Sequence, residues 1–227
     1  AAPPKTATTP SPPAPAASNK EYCTNQITYL EANSGLNIRW YSGGTLVSTA
    51  NPFSTGQTAA GTYNYTVTQT VNGCESAPTA VSMNIYNGIT INNHPQPTTI
   101  CAGNNAVFTI SASGYNLTYQ WQEDGVNISD GGIYSGSTTS TLTLTNPGII
   151  KNGKLYRCVV STSCGASPIN SSTALLTIIT GMTWTGVVSN DWNTSGNWSC
   201  GIIPTSIFSV QIPNVANKPV ISSGSTG

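Results

Sequence analysis

Short runs in which apolar and polar residues alternate are the feature that most limits what this chain can fold into. Alternation with a period of two puts one set of side chains on a buried face and the other set in water, which is the pattern of a half-exposed β-strand. Between residues 14 and 86 the apolar members of such runs are Ile38, Trp40, Tyr63, Tyr65, Val67, Val81, Met83 and Ile85. An Asn72-Gly73 dipeptide predicts a tight turn between two of these strands. We therefore predict a first β module here, with Trp40 in its core.

A second module with the same alternation is predicted between residues 88 and 179. Its five runs are Ala106, Phe108, Ile110 and Ala112; Leu117, Tyr119 and Trp121; Leu142 and Leu144; Tyr156, Cys158 and Val160; and Ala174, Leu176 and Ile178. Clusters of Gly, Asn, Asp and Ser separate the runs, so an antiparallel sandwich of two sheets is predicted. Trp121, Tyr156 and Cys158 are expected in its core. Tyr156-Arg157-Cys158 resembles the tyrosine corner and second cysteine of an immunoglobulin domain, and in that resemblance Ile110 stands where the first cysteine would be; this implies that the usual intersheet disulfide is missing or displaced.

The composition excludes several classes of function. Only 6% of the residues are charged, and seven Lys plus Arg balance seven Asp plus Glu. An average soluble protein has roughly 25% charged residues, so this chain lacks the positive surface needed to bind nucleic acid or an anionic membrane. No apolar run is long enough for a membrane-spanning helix.

Catalytic chemistry is not indicated either. The chain contains no nucleophile, zinc-binding or nucleotide-binding motif, and its single histidine, His94, is predicted to be exposed between the two modules. Glu123 and Asp124 lie beside a predicted turn, where solvated loop residues are favoured over an acid/base pair. We predict a protein that is not an enzyme and that has no cofactor and no metal.

Six cysteines in a neutral, Thr-rich chain indicate an oxidising compartment, where disulfides supplement small hydrophobic cores. Cys23 and Cys74 bracket the first module, and we predict that they are bonded to each other. Closing a loop of that size stabilises a module by roughly 4 kcal/mol. Cys200 has no evident partner within its own segment, so its partner is expected beyond Gly227.

The two ends of the chain differ from the modules. Residues 1–13 are rich in proline and are predicted to be a semi-rigid interdomain linker. Residues 180–227 are predicted to be the Trp-rich start of a third β domain, truncated in this chain. Its three tryptophans, Trp184, Trp192 and Trp198, are a possible glycan-binding platform, but core packing is favoured because the segment has few other large apolar residues. Asp191 begins half of a calcium-loop pattern that lacks the final carboxylate, so a turn is favoured there.

Several motifs resemble a known family. Tyr22-Cys23, Ile38-Arg39-Trp40-Tyr41 and the stretch from Thr68 to Ser76 resemble one type of Ig-like repeat in Bacteroidetes cell-surface proteins. Ile100-Cys101-Ala102-Gly103, Tyr119-Gln120-Trp121-Gln122 and Tyr156-Arg157-Cys158 followed by Ser163-Cys164-Gly165 resemble a second type. Thr183-Trp184-Thr185-Gly186 through Gly196-Asn197-Trp198 is similar to a segment of giant gliding-motility adhesins.

The resemblance implies an all-β chain of tandem Ig-like antiparallel β-sandwiches, at residues 14–87 and 88–179, plus the partial third domain. It implies an extracellular stalk or adhesive segment of an outer-membrane-associated adhesin, exported through the type IX secretion translocon. Surface glycans or other cell-surface ligands are the expected partners. The alternative is an accessory or glycan-binding region of a secreted polysaccharide-degrading enzyme. The family pattern pairs Cys101 with Cys164 and leaves Cys158 as a buried thiol, whereas Cys101–Cys158 is the other possible pairing.

Overall fold

A computed structural model of the chain describes residues 10–221. The described residues form two compact units: unit 1 contains residues 10–90, Ser113–Leu117 and Ser161–Pro168, and unit 2 contains Ile91–Ala112, Thr118–Val160 and residues 169–221. Regular structure in this range is β-strand apart from two short 3-10 turns. No helical segment between residues 10 and 221 is long and apolar enough to cross a membrane. The linker prediction for residues 1–9 and the third-domain prediction for residues 222–227 lie outside the described residues.

Unit 1 contains the first sandwich. Its strands are β1 (Lys20–Cys23), β2 (Tyr29–Leu30), β3 (Ile38–Ser42), β4 (Thr45–Ser48), β5 (Phe53–Ser54), β6 (Gly61–Val71), β7 (Cys74–Glu75) and β8 (Thr79–Tyr86). A six-stranded sheet has the order β1-β8-β6-β3-β4, with β7 paired to β6, and a two-stranded sheet is formed by β2 and β5. The pairings are antiparallel except between β1 and β8, which run parallel.

The core of the first sandwich is built from one face of each strand. Trp40 is fully buried, and Phe53 and Tyr65 lie around it with ring centroids about 6 Å apart in each neighbouring pair. The remaining buried apolar residues of this cluster are Leu30, Ala32, Ile38, Val67, Val81, Met83 and Ile85. In β8, and in β6 as far as Val67, these residues alternate with exposed or half-buried polar ones, because side chains of successive strand residues point to opposite faces. Thr68 and Gln69, at the end of β6, are buried polar residues.

The hairpin between β6 and β7 has the predicted turn. Asn72 and Gly73 have φ values of 49° and 81°, and two successive residues with positive φ form the type I′ turn that matches the twist of the flanking strands. Residues of the predicted linker also contact this sandwich. Ser11 donates a hydrogen bond to the Glu75 carbonyl (3.0 Å), and the Pro13 carbonyl accepts one from Gln69 (2.6 Å).

Unit 2 contains most of the second sandwich, while Thr90, Ser113, Leu117, Ser161 and Thr162, at the ends of its strands, belong to unit 1. The strands of the second sandwich are β9 (Thr90–Asn93), β10 (Thr98–Cys101), β11 (Ala106–Thr109), β12 (Ser111–Ser113), β13 (Leu117–Glu123), β14 (Val126–Asn127), β15 (Tyr134–Ser135), β16 (Thr141–Leu144), β17 (Leu155–Thr162), β18 (Ile169–Asn170) and β19 (Ala174–Ile179). One sheet has the order β10-β19-β17-β13-β14, with β18 beside β17, and a second has the order β11-β16-β15. A 3-10 turn covers Ile149–Lys151.

The second core has a tryptophan at its centre as well. Trp121, Phe108, Tyr156 and Cys158 are each 0–1% exposed, and the Phe108 and Tyr156 rings stack with centroids 4.7 Å apart. The Trp121 indole N–H donates to the Thr139 carbonyl at 2.9 Å. Ile110 is buried directly after β11, so the position of an intersheet cysteine is filled by an aliphatic side chain.

The Trp-rich segment, also in unit 2, has a small two-stranded sheet of its own. Strands β20 (Gly181–Thr183) and β21 (Ser209–Gln211) pair in parallel, and Trp184 bridges to Trp198 in antiparallel fashion. The segment also contains a 3-10 turn over Ser195–Asn197. Met182, Trp184, Trp198 and Phe208 are buried. The predicted domain boundaries near residues 87 and 179 stay predictions.

The disulfides differ from both predicted pairings. Cys23 is bonded to Cys164 within unit 1, and Cys101 is bonded to Cys200 within unit 2. The predicted bonds Cys23–Cys74 and Cys101–Cys164, the alternative Cys101–Cys158 and the expected partner of Cys200 beyond Gly227 are therefore wrong. Proximity in sequence favoured Cys74, but Cys74 lies in β7 opposite Val71, whereas Cys23 ends β1 at a different edge of the sheet. Cys158 is buried in the core of the second sandwich.

The two central tryptophans are expected to respond differently to substitution by phenylalanine. Trp40 Nε1 has no hydrogen-bond partner within residues 10–221, whereas Trp121 Nε1 has the Thr139 carbonyl. Both variants create a cavity, but Trp121→Phe also leaves a carbonyl without its donor, so we expect it to lose about 1 kcal/mol more stability than Trp40→Phe. Urea denaturation followed by circular dichroism measures both losses. Equal losses, or a larger loss for Trp40→Phe, would contradict this.

Candidate functional site

In each sandwich and in the Trp-rich segment, an early strand is paired in parallel with the last strand. Residues Lys20–Cys23 of β1 pair with Met83–Tyr86, residues Thr98–Cys101 of β10 pair with Leu176–Ile179, and β20 pairs with β21. We call these the terminal strand pairs. Because parallel strands run in the same direction, the chain enters each block at one end of the pair and leaves it at the other. Tension between these two points slides the strands along each other and loads their evenly spaced hydrogen bonds together.

Both disulfides begin at terminal strand pairs. Cys23 is the last residue of β1 and Cys101 is the last residue of β10. Cys23 and Cys164 are 1% and 3% exposed, so this bond is shielded from solvent. The Gln26 side chain forms a hydrogen bond on each side of the disulfide. The Gln26 side-chain oxygen accepts from the Cys23 N–H (2.8 Å), and the Gln26 amide group donates to the carbonyl of Gly165, the residue after Cys164 (2.7 Å).

The segments of unit 1 next to this disulfide are held by further contacts. The Tyr86 and Tyr115 rings stack with centroids 3.4 Å apart and planes inclined by 4°. The Thr162 hydroxyl donates to the Tyr115 carbonyl and also contacts Cys164 Sγ at 3.3 Å. The last strand of the first sandwich, the 113–117 segment and the 161–168 segment are thereby fixed around one covalent bond.

In unit 2, Glu123 is the centre of a half-buried polar cluster. Its carboxylate accepts hydrogen bonds from Lys151 Nζ (2.8 and 3.1 Å), Tyr134 (2.5 Å) and Tyr156 (2.7 Å). The Lys151 and Glu123 side chains are only 19% and 16% exposed. The prediction that Glu123 is a solvated loop residue is wrong, because it ends a strand at the edge of the core. The next residue, Asp124, is exposed, and its carboxylate forms an ion pair with Lys154 Nζ at 2.7 Å.

The cluster changes the acidity of its members. Burial raises the pKa of Glu123, but the hydrogen bonds from Lys151, Tyr134 and Tyr156 outweigh burial and hold its pKa below the ordinary value. Burial, followed by the hydrogen bond to Glu123, raises the pKa of Tyr156 far above its usual range. The tyrosines therefore remain protonated donors and Glu123 remains a charged acceptor, which is an arrangement for holding β13, β15 and β17 together rather than for transferring a proton.

The three predicted platform tryptophans form a packed cage. Trp184 and Trp198 are 0% and 3% exposed, and Trp192 is half-buried beside them. Centroids are 5.0 Å apart for Trp184 and Trp198 and 4.6 Å apart for Trp192 and Trp198, both edge to face. Each of the buried indoles donates to a carbonyl, Trp184 to Asn217 and Trp198 to Trp192. A stacking platform formed by all three is wrong, since two have no exposed face to offer.

Asn197 and Asp191 organise the loop around this cage. The fully buried Asn197 side chain accepts from the N–H groups of Val188 and Ser189 (both 2.9 Å) and donates to the Asp191 carbonyl (2.9 Å). The Asp191 carboxylate accepts from the Asn193 N–H (3.1 Å) and the Thr194 hydroxyl (3.2 Å). These are the bonds of a capped turn. Between residues 10 and 221 no three His, Cys, Asp or Glu side chains are grouped closely enough to hold a metal ion.

The remaining candidate residues lie apart from one another. His94 is exposed, and its Nδ1 accepts a hydrogen bond from the Ser172 N–H at 3.0 Å. Burial raises the pKa of the Cys158 thiol to about 11, so it is not an activated nucleophile. Sequence reasoning missed the Glu123 cluster, because Lys151 is 28 residues away and no local pattern connects the two.

Comparison with known proteins supports the fold. A family model described as "Ig-like domain CHU_C associated" matches residues 10–86. An I-band fragment of titin superposes with a TM-score of 0.54 at 10% identity over 75% of this chain and 66% of its own length. Extracellular domains 3–5 of Drosophila OTK superpose with a TM-score of 0.50 at 16% identity over 71% of this chain and 59% of theirs. The chain thus spans less than two thirds of these structures. No curated protein matches its sequence.

The chain therefore consists of tandem Ig-like β-sandwiches, and the family match supports a Bacteroidetes-type Ig-like repeat in residues 10–86. Tandem Ig-like modules of this kind are typical of extracellular structural or adhesive segments, and the two disulfides are compatible with that location. Ig-like repeats are typically non-catalytic.

The Glu123 cluster predicts a specific dependence of stability on pH. Because the folded pKa of Glu123 lies below its unfolded value of 4.5, its contribution is complete above that value and is lost as the pH falls through the folded pKa. Glu123→Gln is expected to lower the free energy of unfolding by about 1–3 kcal/mol at pH 7, with the difference from the original chain shrinking below about pH 4.5. Urea denaturation between pH 7 and pH 3 measures this.

Asp124→Asn is the matched control for that experiment. The Asp124–Lys154 pair is exposed on both sides, so the same neutralisation one residue away is expected to have a much smaller effect. Equal losses for the two variants, or a Glu123→Gln loss that does not change with pH, would contradict the role given to Glu123.

Proposed function

We propose that this chain is a load-bearing segment, a stalk or repeat region, of a large bacterial cell-surface adhesin that serves gliding motility or surface attachment. The support is the tandem Ig-like architecture and the family match in residues 10–86. Export by the type IX secretion system, its translocon as a transient partner and an outer-membrane location are parts of the same proposal. They rest on the sequence resemblance described above.

The Cys23–Cys164 disulfide is the observation that carries the proposal. It connects residues 141 positions apart, so tension applied to the two ends of the chain passes directly from Cys23 to Cys164. Residues 24–163 are then outside the covalent path that bears the tension. Since an extended chain spans about 3.5 Å per residue, this bond shortens the fully stretched chain by roughly 500 Å.

The Cys101–Cys200 disulfide provides a second covalent path for tension, and this path contains more residues than the one through Cys23–Cys164. The cysteines follow one another in the order Cys23, Cys101, Cys164 and Cys200, so the two closed loops interleave. The second bond connects residues 99 positions apart in the sequence, rather than 141. It therefore determines the stretched length only when Cys23–Cys164 is absent.

The terminal strand pairs resist tension where no disulfide carries it. Tension across β20 and β21 loads their hydrogen bonds in shear, and in a reduced chain the β1–β8 and β10–β19 pairs are loaded in the same way. Bonds loaded together must break together, whereas bonds loaded one at a time open in sequence under lower force. Covalent bypass and shear-loaded strands are two successive protections against extension.

Single-molecule force spectroscopy on the full chain, tethered at its two termini, tests the proposal. The oxidised chain is expected to reach a stretched length roughly 500 Å shorter than the chain in reducing agent, because residues 24–163 cannot extend. Identical lengths under both conditions would contradict the proposed bypass.

Paired cysteine variants supply the controls without any reductant. Replacing Cys101 and Cys200 together by Ser is expected to leave the oxidised length unchanged. Replacing Cys23 and Cys164 together by Ser transfers the path to the second disulfide and is expected to lengthen the chain by the 42-residue difference between 141 and 99, about 150 Å. A reversal of these two results would assign the load to the other disulfide.

A further inference from the structure

The outer face of the six-stranded sheet in unit 1 carries a groove that the load-bearing role does not use. Its volume is about 520 Å³, and it is lined by Asn19, Tyr41, Asn64, Thr66, Ala80 and Ser82 together with the Gly43-Gly44 turn. We call it the outer-face groove. Its volume lies within the usual range for ligand-binding clefts, about 300–1,000 Å³.

The register of the strands forms the groove. Thr66 lies between Tyr41 of β3 and Ala80 of β8, and Asn64 lies opposite Ser82. These residues share the face of the sheet opposite to the core. The small side chains of Ala80 and Ser82 leave space at the bottom of the groove. The Gly43-Gly44 turn has no side chains, and a Cβ at either glycine would meet no atom within 4 Å. The side of the groove next to Tyr41 is therefore open.

Tyr41 is held in one position beside the floor. Its hydroxyl donates to Glu75 Oε1 at 2.7 Å, and the Thr68 hydroxyl donates to the same oxygen at 2.6 Å. With its hydroxyl fixed at this carboxylate, the half-buried ring presents its remaining surface to the groove. A pre-positioned aromatic ring binds a ligand at a lower entropic cost than a mobile one.

The chemistry of the lining selects one kind of ligand. None of the groove-lining residues is charged, so a phosphorylated or acidic ligand finds no counter-charge. The floor strands β6 and β8 lie inside the sheet with neighbours on both sides, so their backbone is not available to pair with an extended peptide. Amide and hydroxyl groups beside an aromatic ring suit a hydroxyl-rich, uncharged ligand with apolar ring faces.

We propose that the outer-face groove binds a short stretch of a neutral polysaccharide. The ring of Tyr41 stacks on a sugar face, and the side chains of Asn64 and Ser82 form hydrogen bonds with sugar hydroxyls. Asn19 Oδ1 already accepts from the Ser82 N–H at 2.9 Å, which leaves its amide group as a further donor. The inference deepens the adhesive part of the proposed function and moves glycan recognition from the tryptophan cage to the first sandwich.

Calorimetric titration of the full chain with cellohexaose, laminarihexaose, xylohexaose and mannohexaose tests the inference, with hexagalacturonic acid as the charged comparison. At least one neutral hexasaccharide is expected to bind, and the acid is expected to bind at least about tenfold more weakly. No binding of any of the four neutral sugars at about 5 mM, a concentration suited to weak single sites, would overturn the proposal. So would equal binding of the acid.

Variants locate the binding. Ala80→Trp fills the exposed floor of the groove, and Tyr41→Ala removes the ring; each is expected to weaken binding at least about tenfold. Tyr41→Phe keeps the ring but removes the hydroxyl that fixes it at Glu75, so it is expected to weaken binding less than Tyr41→Ala does. Val126→Trp adds the same side chain at a strand position of unit 2 that is 71% exposed, and should leave affinity unchanged. Binding that survives both Ala80→Trp and Tyr41→Ala would overturn the assigned site.

The two proposals fail separately. The stretched length depends on Cys23 and Cys164, whereas sugar binding depends on Tyr41 and Ala80, and none of these variants touches the residues of the other test. Loss of sugar binding with the disulfide-dependent length intact would reject the groove alone.

Discussion

The covalent bond between Cys23 and Cys164 is the constraint on which the rest of this structure depends. A closed loop of 141 residues, with a second of 99 interleaved with it, removes conformational freedom from the unfolded chain worth about 5 kcal/mol for each bond taken alone. That is a large share of the stability of a small domain. With only 6% charged residues, the chain has few ion pairs to contribute, and Glu123–Lys151 is a half-buried one. The two disulfides and the two tryptophan-centred cores are therefore the main sources of stability.

Local patterns predicted the longer strands of the two cores, and distance in sequence explains the wrong disulfide pairings and the missed Glu123 contacts. Alternation around Trp40 and Trp121 and the Asn72-Gly73 turn are signals contained within a few residues, and the structure has strands and a type I′ turn at these places. The partner of a cysteine is decided by which strand ends meet, and Cys23 meets a residue 141 positions away. No spacing rule contains that information. The same holds for the contacts that Lys151 and Tyr134 make with Glu123.

The tryptophan cage shows why residue type alone is a weak guide to binding. Three tryptophans within fifteen residues suggested a sugar platform, yet this small segment needs Trp184 and Trp198 to fill its interior. A ligand-binding site is better placed on a sheet whose other face already forms the core, because the residues on the outer face are not needed to fill the interior. Tyr41, Asn64 and Ala80 are in that position. The two proposals place load and recognition in different parts of one chain, the disulfide-closed path and the surface of the sheet.

Peptide mapping of the native chain under non-reducing conditions tests the central claim most directly. Protease fragments are separated without reductant, and the cross-linked peptides are identified by mass spectrometry. The account predicts one peptide pair containing Cys23 with Cys164 and another containing Cys101 with Cys200. A pair containing Cys23 with Cys74 would confine the first closure to the first module, return residues 75–101 to the path of tension even with Cys101–Cys200 intact, and contradict the bypass through Cys23–Cys164.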